Sequence, residues 1–324
     1  MIVSAFPRDY KLVIICFFSS GNLSSHKLLC TMKAFYLVTT EHLENGVWFR
    51  DENDFVVGMN YIAVQASVSE VIVLAFILMS NHIHLILYGE YEEVLAFVNR
   101  LKARYSQYLS RKYRIRDFLR RNNVNVRRID QDEPEALERA IAYVQMNCVA
   151  ANICAHPSQY PWGTGNSFFR VDNVHKNAGR PLSSLSKRAI GRLLHSSHSD
   201  LPPEWRVSDA GYIVQESYVA VKTVEHIFRR PDRMNYFLNT SSKAKKRLEA
   251  VDEHIPAFRD QAILTAMPDL FQSLFRKKSF QDLSSSEQTE ALRQIRFRFS
   301  SNVHQLARVC GLSYADAARK LDSI

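Results

Sequence analysis

The most constraining feature of the sequence is a pair of apolar runs separated by two turn-forming residues. Glu70–Met79 is almost continuously apolar, as expected of a strand that is buried on both faces. Ser80-Asn81 supplies turn chemistry, and His82–Gly89 is again largely apolar. The second run is therefore predicted to pair with the first as an antiparallel strand.

Two histidines stand at the start of the second run. Alternate side chains of a strand lie on one face, so His82 and His84 project together while Ile83 points away. Two adjacent imidazoles could bind a metal ion. Considered alone, however, the pattern is more typical of polar residues that share the solvent-facing side of a strand.

The segments around the hairpin alternate between strand-like and helix-like patterns. Ala34–Thr40 and Val124–Ile129 are rich in β-branched residues or alternate in polarity, as strands do. Glu52–Ser67 and Tyr91–Tyr113 have apolar residues at spacings of three and four, which predicts helices. A third helix is predicted from an N-terminal cap at Asp132 to about residue 151, because Pro134 suits a first turn.

This order of elements predicts an α+β fold: a ferredoxin-like antiparallel sheet with helices on one face, in residues 33–170. Residues 1–32 lack clear periodicity and are expected to be a poorly ordered extension. The polar stretch 171–201 is predicted to be a linker. Residues 202–324 are predicted to be mainly helical and to end in a helix-turn-helix-like segment at about 301–322, which would contact DNA or a partner.

The chain carries a formal charge of +9, and its excess of positive charge is concentrated in one place. Residues 100–128 hold eleven Lys or Arg and the single acid Asp117, with tyrosines interleaved. Cations that neutralise phosphates and rings that stack on bases suit single-stranded nucleic acid. The predicted DNA-binding residues are Arg100, Lys102, Arg104, Tyr105, Tyr108, Arg111, Lys112, Arg114, Arg120, Arg121, Arg127 and Arg128.

The five cysteines are scattered, and none forms a Cys-x-x-Cys motif. This pattern argues against a disulfide framework or a cysteine zinc site and fits a reducing cytoplasm. Apolar runs fall short of the roughly 18–20 residues that a membrane span needs. We therefore expect a cytoplasmic protein that is not associated with a membrane.

The third predicted helix carries a second set of candidate residues. Tyr143 and Asn147 are four residues apart and so share one helical face. If that face packs beside the strand with His82 and His84, two imidazoles and an amide oxygen could hold Mg²⁺ or Mn²⁺, next to a phenol that acts as nucleophile. Taken alone, a tyrosine such as Tyr143 is more often a half-buried packing residue.

Three stretches together resemble the single-tyrosine HUH transposase family, in particular the REP-associated tyrosine transposases. They are Leu78–Leu85, Arg100–Leu109, and Tyr143–Ile153 with the following His156–Trp162. The family pattern is similar to Met-Pro-Asn-His-x-His, then Tyr-x-x-x-Asn-Pro, then Pro-x-x-Tyr-Pro-Trp-Ser. The motifs occur in the same order here, within residues 33–170.

The resemblance implies a ferredoxin-like nuclease that cuts and rejoins single-stranded DNA, at hairpins or palindromic repeats, through a 5′-phosphotyrosine intermediate. It matches His82, His84 and Asn147 to the metal ligands and Tyr143 to the nucleophile. Tyr105 and Tyr108, which also lie on a helix after the histidines, are assigned to packing and DNA contact. A homodimer and a bacterial, nucleoid-associated location are further expectations from the resemblance.

Four departures from the family pattern bear on turn geometry: Ser80 and Cys148 stand where the family has Pro, Asn152 where it has Gly, and Gly163-Thr164 where it has small serines. Two alternative functions stay open. One is a nucleic-acid-binding regulator that keeps the fold but has lost catalysis. The other is a rolling-circle replication initiator or relaxase, which the spacing of Tyr143 and Asn147 disfavours.

Overall fold

A computed structural model describes residues 32–40, 47–114, 124–151, 153–170, 179–195, 200–244, 258–299 and 301–322. Residues 1–31 lie outside these ranges, and so does nearly all of the predicted N-terminal extension. Asn152 and two of the predicted DNA-binding residues, Arg120 and Arg121, also lie outside them.

Four strands form one antiparallel sheet in the first half of the chain: β1 (Ala34–Thr39), β2 (Ile72–Met79), β3 (His82–Gly89) and β4 (Asn125–Arg128). Their spatial order is β2-β3-β1-β4, and every neighbouring pair is antiparallel. β2 and β3 form the hairpin that the apolar runs predict, with Met79 opposite His82. The predicted α+β class, with its antiparallel sheet and helical C-terminal part, is confirmed.

Helices cover both faces of this sheet. Helix α1 (Glu52–Ser67) lies on the face of Leu78, since a Cβ on Gly58 would come within 3.0 Å of the Leu78 side chain. Helix α2 (Tyr91–Tyr113) packs beside α1. Helix α3 (Ala136–Gln145) lies on the other face, where its Tyr143 meets His84. The sequence predicted helices on one face of the sheet. Helices α1 and α2 do share one face, but α3 covers the opposite face, which carries the histidines.

The outer edge of β2 is closed by chain from outside the sheet. The Leu78 amide donates to the Trp162 carbonyl at 2.8 Å, and the Thr164 amide donates to Phe76 at 3.0 Å. A Cβ on Gly163 would lie 2.9 Å from the Phe76 carbonyl oxygen, so only glycine allows this close approach. Gly163 and Thr164, which depart from the family pattern, therefore pair with the outer edge of β2.

Helix α3 begins later and ends earlier than the sequence predicts. Its N-cap is Glu135 with φ +64° and no side-chain cap, not Asp132. A turn closed by the Ala136 amide on the Glu133 carbonyl, at 3.2 Å, occupies the expected first turn. After Gln145 the helix breaks at Met146, and a short helix α4 (Asn147–Ala150) follows.

The described part of the predicted linker is structured. Strand β5 (Arg180–Pro181) pairs with β6 (Arg206–Val207), and helix α5 (Lys187–Leu193) lies between them in the chain. Apolar residues of this segment pack on α1. They share one cluster: Ala63, Val64, Leu182, Ile190, Leu194, Leu201, Val207 and Ile213. Composition predicted a linker because the segment is polar overall, yet a few well-placed apolar side chains anchor it.

Two further helices contribute side chains to the apolar cluster around the sheet. They are α6 (Val221–Phe228) and α7 (Pro231–Thr240). Arg233 of α7 forms ion pairs with Glu135 and Glu138 at the start of α3, at 3.2 and 3.0 Å. Residues 219–244 therefore pack with residues 33–170, although the sequence-based boundary separates them.

The last described helices form a second apolar cluster. They are α8 (Asp260–Phe275), α9 (Ser285–Phe299), α10 (Val303–Cys310) and α11 (Tyr314–Asp322). Helix α8 continues through Pro268, which lies inside it. Ile263, Met267 and Phe271 form one buried stripe along α8, and this packing outweighs the hydrogen bond that proline removes. Within the described ranges, no helix is both long and apolar enough to cross a membrane.

Candidate active site

The two histidines lie beside each other at the start of β3. Their ring centroids are 4.8 Å apart, and the rings are perpendicular. Nδ1 of His82 is 2.8 Å from Oδ1 of Asn81. Because an amide oxygen only accepts, Nδ1 carries the proton and Nε2 of His82 keeps a lone pair for a ligand. Asn81, which the sequence assigned to the turn, thus orients His82.

Tyr143 meets this pair from the helix above. Its ring lies edge to face with His84, with centroids 5.7 Å apart. Tyr143 is half-buried, whereas its neighbours Ala142 and Val144 on α3 are fully buried. The structure therefore brings the phenol and both imidazoles together, as the sequence-based hypothesis requires.

Asn147 is buried near the same end of α3, with 4 % of its surface exposed. Its amide nitrogen donates to the backbone carbonyls of Tyr143, at 2.9 Å, and Val144, at 3.2 Å. These bonds fix the amide along its own helix and leave the side-chain oxygen as the atom that could bind a cation. Its role as a ligand stays a prediction.

Burial keeps both imidazoles neutral. Burial lowers the pKa of His82 to about 3, and the positive charges of Lys243 and Arg308 act in the same direction. Burial, His82 and Lys243 hold the pKa of His84 well below its usual value. Neutral imidazole is the form that binds metals, so both side chains are in the binding state at neutral pH.

Two buried polar atoms, on residues that stand opposite each other in neighbouring strands, lack hydrogen-bond partners among the described residues. They are Nδ1 of His84 and Oγ1 of Thr39. Thr39 of β1 stands directly opposite His84 of β3, so the two side chains share one face of the sheet. Sequence analysis missed Thr39, because only the strand register places it beside the histidine.

These orphaned atoms fit a cation bound on this face. A buried polar atom without a partner is costly unless something binds it. Imidazole nitrogens with hydroxyl and amide oxygens are donors that Mn²⁺ accepts, and Mg²⁺ less readily. Among the described residues, no cluster of three or more His, Cys, Asp or Glu could hold a metal, so the site would depend on its neutral oxygen donors.

The predicted DNA-binding tyrosines lie inside the protein. Tyr105 is 1 % exposed, and its hydroxyl donates to the Trp48 carbonyl at 3.1 Å. Tyr108 is 8 % exposed and donates to Oδ1 of Asp54 at 2.8 Å. Their packing role is what the structure shows. Neither ring offers a face to a base, which corrects the expected DNA contact.

Lys112 binds acidic side chains of the protein itself. Its ammonium contacts Asp51 and, at 2.7 Å, Asp54, a fully buried acid that Tyr113 also bonds at 2.7 Å. Burial by itself would lower the pKa of Lys112, but its hydrogen bonds to Asp51 and Asp54 raise it above the usual value. Lys112 therefore neutralises the acids that cap α1, although its side chain stays 27 % exposed.

The other basic residues of the segment are placed differently. Lys102 and Arg104 are half-buried, and burial lowers the pKa of Lys102. The exposed members are Arg100, Arg111, Arg114, Arg127 and Arg128. These remain the candidates for DNA contact.

The C-terminal region reaches the site at two points that the sequence did not indicate. The ammonium of Lys243 lies 4.8 Å from the centroid of the Tyr143 ring. Arg308 of α10 binds Asp260 of α8, with Nε to Oδ2 at 2.9 Å, and Asp260 also accepts a hydrogen bond from Ser80 in the β2–β3 turn. A charge count would have shown a second basic run, Lys243–Arg247, but not its position.

The helix-turn-helix-like segment has the expected local structure. Asn302 caps α10 through the Gln305 amide at 2.9 Å, and Gly311 ends it with φ +68°. On α11, Arg319 is paired with Asp316 at 2.5 Å. Arg308 is likewise used internally, so the DNA contact of this segment stays a prediction.

The similarity of the chain to known proteins is low. Neither a protein-family model nor a curated protein matches the chain. Among solved structures, the chain is similar to a REP-associated tyrosine transposase bound to a REP hairpin. The identity is 13 %, the TM-score is 0.32, and the match covers 42 % of this chain and 77 % of the other. A likeness of this size assigns no activity to the chain.

Proposed function

We propose that the chain is a metal-dependent endonuclease and strand transferase that cleaves and rejoins single-stranded DNA through a 5′-phosphotyrosine intermediate, as a transposase does. The observation that carries the proposal is the contact of Tyr143 with His84, whose buried Nδ1 lacks a partner among the described residues. A phenol that could act as a nucleophile therefore contacts an imidazole that could bind a metal ion, on one face of the sheet.

The proposed chemistry uses the phenol as the attacking group. Oη of Tyr143 forms a bond to the phosphorus of a phosphodiester and loses its proton to solvent. The bond from phosphorus to the 3′ oxygen breaks, and that oxygen takes up a proton to become a free hydroxyl. The 5′ side stays linked to Tyr143, and attack by a 3′ hydroxyl reverses the step and joins a new end.

His82, His84 and Asn147 are the proposed ligands of Mg²⁺ or Mn²⁺, with Thr39 beside them. When bound, the cation would stabilise the charge that develops on the phosphate oxygens. Asn81 holds the tautomer of His82 through its 2.8 Å contact, and the buried surroundings of His84 keep that imidazole neutral.

Exposed cations around the sheet are the proposed contacts for the DNA strand. Arg100, Arg111 and Arg114 lie on or at the end of α2, and Arg127 and Arg128 lie on the edge strand β4. Phosphate contacts of this kind give affinity without sequence preference. We infer that they hold the strand while the site acts on it.

The test is covalent trapping. Full-length protein is incubated with end-labelled single-stranded hairpins and Mn²⁺ or Mg²⁺, and the adduct is resolved on a denaturing gel. Tyr143→Phe is expected to abolish the adduct. Tyr236→Phe, which changes a tyrosine that is 60 % exposed on α7, is expected to retain it.

Three outcomes would contradict the proposal. An adduct that survives Tyr143→Phe places the nucleophile elsewhere, and an undiminished adduct in EDTA removes the metal. DNA binding with no adduct under any condition favours the alternative function, a regulator that has kept the fold and lost catalysis.

A further inference from the structure

The side chain of Lys243 lies beside Tyr143 of the candidate site, although it comes from the C-terminal half of the chain. Its ammonium is 4.8 Å from the ring centroid of Tyr143. The same Tyr143 ring meets His84, with centroids 5.7 Å apart. One cation is therefore close to the proposed nucleophile, which itself contacts a proposed imidazole ligand.

A rigid turn holds Lys243 in this place. The Ser241 hydroxyl donates to the Leu238 carbonyl at 2.9 Å and accepts from the Ala244 amide at 3.1 Å. Ala244 is buried in the same core cluster as the sheet. The preceding helix α7 is in turn fixed to α3 by Arg233, so the lysine and Tyr143 are carried by elements that are bound to each other.

Two cations from the C-terminal region lie near the site. Lys243 is beside the Tyr143 ring, and Arg308 is held near the β2–β3 turn by Asp260. The charge of Arg308 is matched by Asp260, which it binds at 2.9 and 3.2 Å. A divalent cation held by neutral imidazoles would add further positive charge beside Lys243. A phosphodiester between the two would relieve this repulsion.

We propose that Lys243 binds the phosphate group that Tyr143 attacks, so that the C-terminal region supplies part of the substrate-binding site. This inference rests on the proposed function for the identity of the phosphate. It extends the site beyond the histidine and tyrosine motifs to a residue that no motif includes.

The first test measures binding without chemistry. Affinity of the full-length protein for a fluorescent single-stranded hairpin is measured by anisotropy in EDTA, over a series of salt concentrations. One lost phosphate contact lowers the slope of log affinity against log salt by about 0.7 for single-stranded DNA. Lys243→Gln is expected to show this loss, and Lys243→Arg is expected to keep the slope. The control Lys222→Gln, at an exposed lysine on α6, is also expected to keep it.

The second test places the contact at the reacting phosphate. Once trapping has located the cleaved bond, that phosphate is replaced by a neutral methylphosphonate. The replacement is expected to weaken binding of the wild-type protein and to have little further effect on Lys243→Gln, because the two changes remove the same interaction. Adduct formation should fall about 100-fold in Lys243→Gln and recover to within about tenfold in Lys243→Arg.

The results separate this inference from the proposed function. Loss of the adduct in Tyr143→Phe with an unchanged salt slope in Lys243→Gln upholds the nuclease and overturns the phosphate contact. An adduct that persists in Tyr143→Phe overturns the proposed nucleophile, while a reduced slope in Lys243→Gln would still support the phosphate contact. If methylphosphonate weakens the wild type and Lys243→Gln equally, Lys243 only packs on the ring and the inference fails.

Discussion

The ring of His84 and the ring of Tyr143 stand perpendicular, with centroids 5.7 Å apart. The first belongs to a central strand and the second to the helix that covers the histidine face of the sheet. Their contact shows that α3 is placed where a phenol can share a site with two imidazoles.

Metal binding should depend on the histidine pair and should be measurable without DNA. Mn²⁺ at about 100 times its dissociation constant is expected to raise the unfolding free energy by about 2.7 kcal/mol. His82→Gln and His84→Gln should each remove the corresponding rise in melting temperature, read by differential scanning fluorimetry. His226→Gln, at an exposed histidine of α6, should keep it. An equal rise in all three variants would show that Mn²⁺ binds elsewhere.

Lys112 should contribute to the unfolding free energy, and Arg111 should contribute to the affinity for DNA. Lys112→Met leaves the buried carboxylate of Asp54 without its cation and should cost about 2–4 kcal/mol of unfolding free energy in urea titrations. Arg111→Met removes an exposed charge, so stability should change by less than about 0.5 kcal/mol while the salt slope of DNA binding falls by about 0.7. A Lys112→Met variant of normal stability but weakened DNA affinity would reverse this assignment.

Asp260 should stabilise the contact between the C-terminal helices and the β2–β3 turn. Burial would raise the pKa of Asp260, but Arg308, Gln305 and Ser80 lower it below the usual 3.8. Asp260→Asn leaves Arg308 without its partner and should cost about 3–5 kcal/mol at neutral pH.

The same carboxylate gives a pH dependence with a defined sign. A depressed folded-state pKa contributes stability that is fully present above the unfolded value of about 3.8 and is lost as pH falls through the lower folded value. The difference in unfolding free energy between wild type and Asp260→Asn should therefore be constant above about pH 5 and shrink below about pH 4. Asp282→Asn, at an exposed acid, is the control, and a gap that widens in acid would contradict the assignment.

Thr164 should seal the edge of β2. Its hydroxyl oxygen accepts from the Phe76 amide at 3.0 Å and from the Gln145 amide at 2.7 Å, and the side chain is fully buried. Thr164→Val keeps the shape but leaves two buried donors unpaired, which should cost about 2–4 kcal/mol in chemical denaturation. Thr265→Val, at an exposed threonine of α8, should change stability by less than about 0.5 kcal/mol.

Local sequence determined the elements and much of the candidate site. The apolar runs predicted β2 and β3, and the spacing of apolar residues predicted α1 and α2 almost to the residue, because periodicity reports which side of an element is buried. His82 and His84 lie on one face for the same reason. These features depend on neighbours in the chain, so one sequence is enough to find them.

Only the tertiary structure decided what each side chain faces. Tyr105, Tyr108 and Lys112 belong to a pattern that is typical of nucleic-acid binding, yet α1 packs beside their helix and supplies the buried acid Asp54, which binds Tyr108 and Lys112. Lys243 and Thr39 reach the site through a turn and a strand register that no local pattern encodes. Charge and residue type are properties of the sequence, whereas burial and partners arise from contacts between distant segments.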